Sequence, residues 1–350
     1  MDWHSIHVYY YEPDKRALIL DGVRPLFRSL GDRVDAVSYT RHWRQGPHLR
    51  LNFRTTADTF ASMVRPAADE IVGGFLARQP SAAHHLDRAR EIQVHKRLAE
   101  LEQDDGPLLP WHPDNSIVPA RYDSRSAAVG GPHAAGLVAD FQAASTDLAF
   151  RLTEAFRTPR QRLAGCFDLM IATGQAMSAR GIVGGFVSFR SHAEGFLAGF
   201  PEATGLRPAW DRHYRAHRDA LRQRMETVAA ATRTGSGDVP FVRDWLAVLG
   251  PAREAAARGD LTLPIAGPDD AERLAGLSPF HHALLANPRW EERQRSAEFL
   301  RYRLMLNLTY LMLTRLGVNP VERYLLGHLA ANTVEDAYGV AAIELVGGVR

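Results

Sequence analysis

The chain has 350 residues, of which 45% are apolar and 23% charged, so it is long enough to bury a large core. Its formal net charge of +2 excludes the strong positive field that capture of nucleic acid or of a membrane surface needs. The single cysteine excludes an intramolecular disulfide and a cysteine-based zinc site, and it predicts a reducing, cytoplasmic setting.

The first part of the chain, residues 1–80, predicts an α+β arrangement built on an antiparallel sheet. The hydrophobic periodicity places a strand at 3–11, a helix at 14–30, two strands within 37–54 and a helix at 56–77. The dipeptide Gly46-Pro47 marks a tight turn between the two neighbouring strands.

The second strand of this pair alternates polar and apolar residues with period two. One face carries His48, Arg50, Asn52 and Arg54, and the other carries Leu49, Leu51 and Phe53. The polar face is either solvated or part of a functional pocket. Its mixed chemistry, together with Trp43 at the preceding turn, favours the pocket.

Beyond residue 80 the pattern changes. Residues 80–103 read as a charged helix, 104–133 as an irregular stretch rich in Pro and Gly, and 134–350 as mainly helical. A compact domain rarely keeps about 25 structureless residues unless they act as a lid or binding loop. We expect one domain over 1–350, with the antiparallel sheet packed against the helical part.

Two constellations are candidates for chemistry. Ser191 and Glu194 fit a capping box that would start a helix. His192 would then lie in the first turn of that helix. The helix dipole favours a neutral imidazole there, which can act as a base. Ser278 fits an N-cap before Pro279, which would hold His281 rigidly one turn into the helix. His281 is the first choice for an acid–base role.

The sequence gives no support for a metal site, a cofactor site or a Schiff-base lysine. The adjacent pairs His84-His85 and His281-His282 diverge on a helix, and there is no His-Glu-x-x-His for a metal. No phosphate-binding or dinucleotide-binding glycine motif is present, so no cofactor is expected. Neither lysine, Lys15 or Lys96, has apolar sequence neighbours that would lower its pKa for Schiff-base chemistry.

The motifs resemble those of a known family. The pattern Arg-x-Trp-Arg-x-Gly-Pro-His-Leu-Arg-Leu over 41–51, and the Ser-x-x-His at Ser278 and His281 followed by Asn287, resemble the C-terminal, lyase-type domain of class I lanthipeptide dehydratases and its stand-alone relatives in thiopeptide biosynthesis. Two departures stand out. Asn52 replaces a second arginine of the eliminating relatives, and an insertion splits the Arg-Tyr-Gly-Gly segment after Tyr122.

This resemblance implies an enzyme of dehydrated precursor peptides. Loss of anion-binding groups favours a pyridine synthase, which joins two dehydroalanines by a formal aza-[4+2] cycloaddition and then eliminates water and the leader peptide. A lyase that eliminates glutamate from glutamylated serine is the alternative. A non-catalytic subunit that binds and presents the precursor is the alternative from another class.

The resemblance and the residue chemistry together give the expected site. The catalytic residues would be His281, Ser278, Arg50, His192 and Tyr302. The substrate-binding residues would be His48, Trp43, Asn52, Arg190, Tyr310 and Asn287. Tyr302 and Tyr310 are eight residues apart, so they share a helix face and would line a cavity. The expected partner is an azole-containing precursor peptide with its leader, and a homodimer is left open.

Overall fold

The computed structural model describes residues 1–82, 86–102, 104–199, 205–259, 261–264 and 268–347. The chain divides into two compact units, Met1–Ala155 with Thr314–Gly317 and Phe156–Leu313 with Val318–Arg350. The α+β prediction is confirmed, because an antiparallel sheet occupies the N-terminal unit and the C-terminal unit is helical in its described residues. The single domain stays a prediction.

The first unit carries the sheet. Its elements in chain order are β1 (Asp2–Tyr9), α1 (Arg24–Leu30), β2 (Ala36–His42), β3 (His48–Thr55), α2 (Ala57–Thr59), α3 (Arg65–Arg78), α4 (Arg88–Glu102), β4 (Ser116–Ala120), α5 (Ser126–Val129), α6 (Pro132–Ala144) and α7 (Thr146–Ala155). The strand order is β2-β3-β1-β4, with every pair antiparallel. The register sets His7 opposite Arg50 and His48 between Tyr9 and His42.

Both faces of β3 are buried. Leu49, Leu51 and Phe53 are fully buried on the apolar face. His48, Arg50 and Asn52 on the polar face are also buried. The prediction of a solvated polar face is therefore wrong for these three residues. The alternation along β3 instead separates an apolar buried face from a polar buried face.

Several predicted boundaries differ from the structure. Part of the expected irregular stretch 104–133 is ordered, since β4 pairs with β1 and α5 follows it. The first strand ends at Tyr9 rather than at residue 11. The helix expected at 14–30 continues through Pro25, because a π-helical segment over Leu18–Val23 runs directly into α1.

The second unit is built from helices. They are α8 (Pro159–Met177), α9 (Ile182–Gly199), α10 (Leu206–Thr234), α11 (Val242–Ala257), α12 (Pro268–Leu277), α13 (Pro279–Leu285), α14 (Trp290–Arg295), α15 (Ala297–Arg315, whose last residues belong to the first unit), α16 (Pro320–Tyr338) and α17 (Ala342–Gly347). Cys166 lies buried in α8, where burial raises the pKa of its thiol, as expected of a structural cysteine. Over the ranges described, no helix is long and apolar enough to cross a membrane.

The capping box predicted at Ser191 and Glu194 is wrong. Both residues lie inside α9, which begins nine residues before Ser191 at Ile182. His192 is accordingly not in a first turn, so the helix dipole does not explain its protonation state. The cap predicted at Ser278 is confirmed, because its side chain accepts the His281 backbone N–H at 3.4 Å.

Lys15 also differs from its prediction. Its side chain is buried, and its ammonium donates to the backbone carbonyl oxygens of Tyr10 and, at 3.0 Å, Glu12. Burial, with a smaller contribution from Arg41, lowers the pKa of Lys15 from 10.5 to about 7. Sequence neighbours gave no sign of this, because the burial comes from packing rather than from the residues beside it.

We expect the stability of the protein to rise with pH because of Lys15. Its pKa is lower in the folded state than in the unfolded state, so between pH 7 and 10 the unfolded chain binds more protons and alkali favours folding. The Lys15 contribution to the free energy of unfolding should grow by roughly 2–3 kcal/mol from pH 6 to pH 9. Urea unfolding of wild type and Lys15→Met at both pH values isolates this contribution, and Lys96→Met is the control. An equal pH dependence in wild type and Lys15→Met would contradict the prediction.

Candidate active site

The polar face of β3 lies beside a group of aromatic and imidazole rings in the first unit. The ring centroid of His48 is 4.6 Å from that of His7, 4.7 Å from that of Tyr9 and 5.3 Å from that of His42. We call His7, His42, His48 and Arg50 the imidazole cluster. Burial, reinforced by nearby positive groups, lowers the pKa of His7 to about 3 and holds those of His42 and His48 well below 6.5. The three imidazoles are therefore neutral at pH 7.

Hydrogen bonds fix two tautomers in this cluster. His48 Nδ1 lies 2.8 Å from the Gly46 carbonyl oxygen, so Nδ1 carries the proton and Nε2 is an acceptor. His42 Nδ1 accepts the Arg44 backbone N–H at 3.0 Å, so its Nε2 carries the proton. Both Nε2 atoms are buried and have no hydrogen-bond partner within the described part of the chain. Buried polar atoms without partners are unusual and mark a place for a ligand or water.

Arg50 supplies the positive charge of the imidazole cluster. Its side chain is buried, and Nη1 lies 3.4 Å from Oδ2 of the half-exposed Asp123. Burial lowers the pKa of Arg50 while Asp123 raises it. Close by, Arg44 donates to Asp104 at 2.7 Å. Burial raises the pKa of Asp104, but the Gly106 N–H and Arg44 outweigh it and lower that pKa overall.

Two predicted binding residues lie next to this cluster. The ring of Trp43 stacks on His42 with centroids 5.2 Å apart, and its buried indole N–H has no partner among the described residues. Asn52 has a structural partner instead. Its Oδ1 accepts the Ser5 hydroxyl at 2.9 Å, which ties β3 to β1.

His281 has a polar partner in the second unit. Its Nε2 lies 3.1 Å from the Ser191 hydroxyl oxygen on α9, and Ser278 caps the helix that carries it. Nδ1 is buried without a partner in the residues described. Burial lowers the pKa of His281, against a smaller opposing effect of Glu194, so the ring is neutral near pH 7. A neutral imidazole hydrogen-bonded to a hydroxyl is a geometry for proton transfer.

His192 forms a second imidazole–hydroxyl pair. Its Nδ1 lies 2.9 Å from the Tyr310 hydroxyl. Burial, followed by Arg323, lowers the pKa of His192 to about 3, and burial raises the pKa of the Tyr310 phenol. The phenol therefore keeps its proton and the imidazole is neutral at pH 7, so this hydrogen bond joins two neutral groups. The Arg323 guanidinium lies 5.2 Å from the Tyr310 ring centroid.

Three predicted residues of the second unit have structural partners. The Tyr302 hydroxyl donates to the Gly185 carbonyl oxygen at 2.8 Å, and burial raises the pKa of this phenol. Arg190 pairs with Glu335 and also donates to Asn332 on α16. Asn287 donates to the Val346 carbonyl oxygen at 2.6 Å. These contacts hold the fold together, so a substrate role for these residues stays a prediction.

Sequence reasoning missed two residues of these sites. Ser191 was assigned to a helix cap, although its hydroxyl contacts His281, which lies 90 residues further on. Asp123 was not singled out, although it is the partner of Arg50. Because both contacts join segments that are distant in sequence, no local sequence pattern predicts them.

No metal site is evident in the described ranges, where no three His, Cys, Asp or Glu residues form a group that could hold an ion. His281 is buried and His282 is exposed, so this adjacent pair diverges as predicted. The pair His84-His85 lies outside the described residues.

Comparison with known proteins places the chain among peptide-modifying enzymes. The family model of the lantibiotic biosynthesis dehydratase C-terminal domain matches residues 3–334. The structure of TbtD, the pyridine synthase from thiomuracin biosynthesis, is similar with a TM-score of 0.78 and 35% identity, covering 97% of this chain and 100% of that one. Among curated proteins none is significantly similar in sequence.

Two further solved structures share the fold. TsrL is 23% identical with a TM-score of 0.74, covering 100% of this chain and 99% of that one. MibB, a tRNA-dependent lantibiotic dehydratase from Microbispora sp. 107891, is 16% identical with a TM-score of 0.50, covering 96% of this chain and 28% of that one. The fold therefore occurs both as a separate chain and within a much longer dehydratase.

Proposed function

This chain belongs to the lantibiotic biosynthesis dehydratase C-terminal family, and from that membership we propose that it is a pyridine synthase of thiopeptide biosynthesis. The observation that carries the proposal is the 35% identity with a pyridine synthase over 97% of this chain. The reaction joins two dehydroalanines of a modified precursor peptide by a formal aza-[4+2] cycloaddition. Loss of water and of the leader peptide as its carboxamide then gives the pyridine. These steps are redox-neutral, so the proposal needs no cofactor.

The pair of His281 and Ser191 suits the proton transfers that precede the cycloaddition. One substrate amide must react as its imidic-acid tautomer, which has lost a proton at nitrogen and gained one at oxygen. In this proposal His281 Nε2 takes the hydroxyl proton of Ser191 while Ser191 takes the amide proton, and the His281 imidazolium then gives one proton to the amide oxygen, so that no net proton is gained or lost. Ser278 is a positioning residue here, because it caps the helix that presents His281.

His192 suits the later eliminations, which break a C–O bond and a C–N bond and need a proton at each leaving group. In this proposal neutral His192 takes the proton that each elimination removes from carbon, and its imidazolium delivers that proton to the leaving oxygen or nitrogen, while the Tyr310 hydroxyl holds the ring at Nδ1. The low pKa of about 3 makes the corresponding imidazolium a strong acid, so any proton that His192 gains is readily passed on.

The imidazole cluster of the first unit suits a peptide amide. Arg50 Nε is a buried donor and His48 Nε2 a buried acceptor, and neither has a partner in the part of the protein described. An amide carbonyl that accepted from Arg50 would be polarised, which orients the amide and makes its N–H more acidic. Trp43 and Asn52 are proposed to shape the surroundings of the imidazole cluster in the first unit. Arg190, Tyr302, Tyr310 and Asn287 are proposed to do the same for His281 and His192 in the second unit.

The proposed partner is a dehydrated, azole-containing precursor peptide that still carries its leader, encountered in the cytoplasm. TbtD and MibB are both enzymes of peptide natural-product biosynthesis by their names, which supports this class of substrate. A homodimer stays a prediction.

Mass spectrometry of such a precursor incubated with the purified protein alone tests the function. We expect release of a leader carboxamide and a core product lighter by that fragment and by one water. A control without protein should leave the precursor unchanged. Loss of glutamate from a glutamylated serine peptide, with no change in the dehydrated precursor, would overturn the proposal in favour of a lyase. Tight binding with no change in mass would overturn it in favour of a presenting subunit.

A further inference from the structure

The partner of Arg50 comes from the segment that follows β4. Asp123 lies three residues beyond the last residue of β4, and its Oδ2 is 3.4 Å from Arg50 Nη1. Its other oxygen, Oδ1, accepts the Arg125 backbone N–H at 3.0 Å. This turn fixes the carboxylate toward the guanidinium. The Asp123 side chain is 39% exposed and that of Arg50 only 8%, so Asp123 is the more solvent-accessible partner of the pair.

Two arginines at the imidazole cluster are each paired with a carboxylate, and a third, Arg125, is close enough to lower the pKa of His42 and of Asp104. Arg50 is matched by Asp123, and the neighbouring Arg44 is matched by Asp104. The three imidazoles are neutral at pH 7. A carboxylate that entered would have to compete with Asp123 for Arg50, and its own desolvation would be costly.

The unpaired buried atoms of the cluster are a mixture of donors and acceptors. Arg50 Nε is a donor and His48 Nε2 is an acceptor, whereas the His42 Nε2 donor faces Asp104 Oδ2 at 4.0 Å. A carboxylate only accepts, so it would leave the His48 acceptor unsatisfied. An amide offers both an acceptor and a donor and fits this set.

We propose that Asp123 determines the substrate specificity of this cluster, by occupying the Arg50 guanidinium so that uncharged amide groups are accepted and carboxylates are rejected. The inference rests on the proposed function and deepens it. In this proposal a single acidic residue, Asp123, makes the protein select a dehydrated peptide over a glutamylated one.

Binding of glutarate, a dicarboxylate probe, to the purified protein tests the role of Asp123. We expect glutarate to bind Asp123→Ser at least about tenfold more tightly than it binds wild type. This substitution removes the carboxylate, opens space and keeps a side-chain oxygen for the Arg125 N–H. Asp123→Asn, which removes charge but not bulk, should give a smaller gain. Adding Arg50→Met to Asp123→Ser should abolish the binding.

The matched control is Asp140→Asn. Asp140 pairs at 2.9 Å with Arg54, which lies on the same face of β3 as Arg50 but is more exposed. The substitution therefore frees an arginine outside the imidazole cluster, and it should create no glutarate site. Equal binding by Asp140→Asn, no gain in either Asp123 variant, or a gain that survives Arg50→Met would each overturn the proposal. Thermal unfolding identifies a misfolded variant, and the two Asp123 variants provide independent tests. No precursor peptide is used, so the result is independent of whether the protein makes pyridine.

Discussion

Replacing His281 with asparagine should lower the rate of pyridine formation by about 10²–10⁴-fold. Asparagine keeps a polar group near Ser191, but it cannot take up or release a proton near pH 7, so the relay from the Ser191 hydroxyl is lost. Affinity for the precursor should change little, because the effect lies in the proton transfer. Single-turnover mass spectrometry, together with a binding measurement, separates the two.

His282→Asn is the matched control for this prediction. His282 is the exposed neighbour of the buried His281 on the same short helix, so the substitution makes the same chemical change away from Ser191. Ser191→Ala should reduce the rate less than His281→Asn, because water can replace a hydroxyl in a relay. A His281→Asn protein that unfolds like wild type and forms pyridine at the wild-type rate would show that His281 has no catalytic part.

Strand β3 shows how much of the sheet could be predicted from the sequence. The period-two alternation correctly predicted the strand, its turn and the residues on each face. It could not decide whether the polar face is solvated, because the rings beside that face come from distant segments. The ring of Trp43 lies 5.4 Å from that of His95, and the ring of Tyr9 lies 4.5 Å from that of His112. The burial of Arg50 therefore depends on tertiary packing and could not be predicted from the local sequence.

The candidate site was predictable only where its signals are local. Ser278 before a proline predicted the cap, and the cap predicted a rigid His281. Ser191 followed by Glu194 gave an equally local signal and was wrong, because α9 starts earlier and passes through both residues. Tertiary packing overrode the capping preference here, and Gly185 shows how, since a residue without a side chain lets α9 come close to Gly174 of α8.

Gly185 should therefore tolerate no side chain. A Cβ added there would lie 2.8 Å from the Cα and the carbonyl oxygen of Gly174 on α8, and 2.9 Å from the Tyr302 hydroxyl oxygen. Backbone atoms cannot rotate away, so α8 and α9 would have to separate. We expect Gly185→Ala to lower the free energy of unfolding by about 1–3 kcal/mol, although alanine is the better helix former.

Gly195→Ala on the same helix is the control for Gly185→Ala. Its added Cβ would meet nothing nearer than His281 Cε1 at 3.5 Å, which is ordinary contact, so helix propensity should raise the stability by about 0.5–1 kcal/mol. Urea unfolding of both variants gives the comparison. Opposite signs would show that close packing against Gly174, rather than capping, decides where α9 runs. Equal stabilisation in both variants would mean that α8 and α9 can separate at little cost, and the hydrogen bond from Tyr302 to Gly185 would then not fix the position of Tyr302.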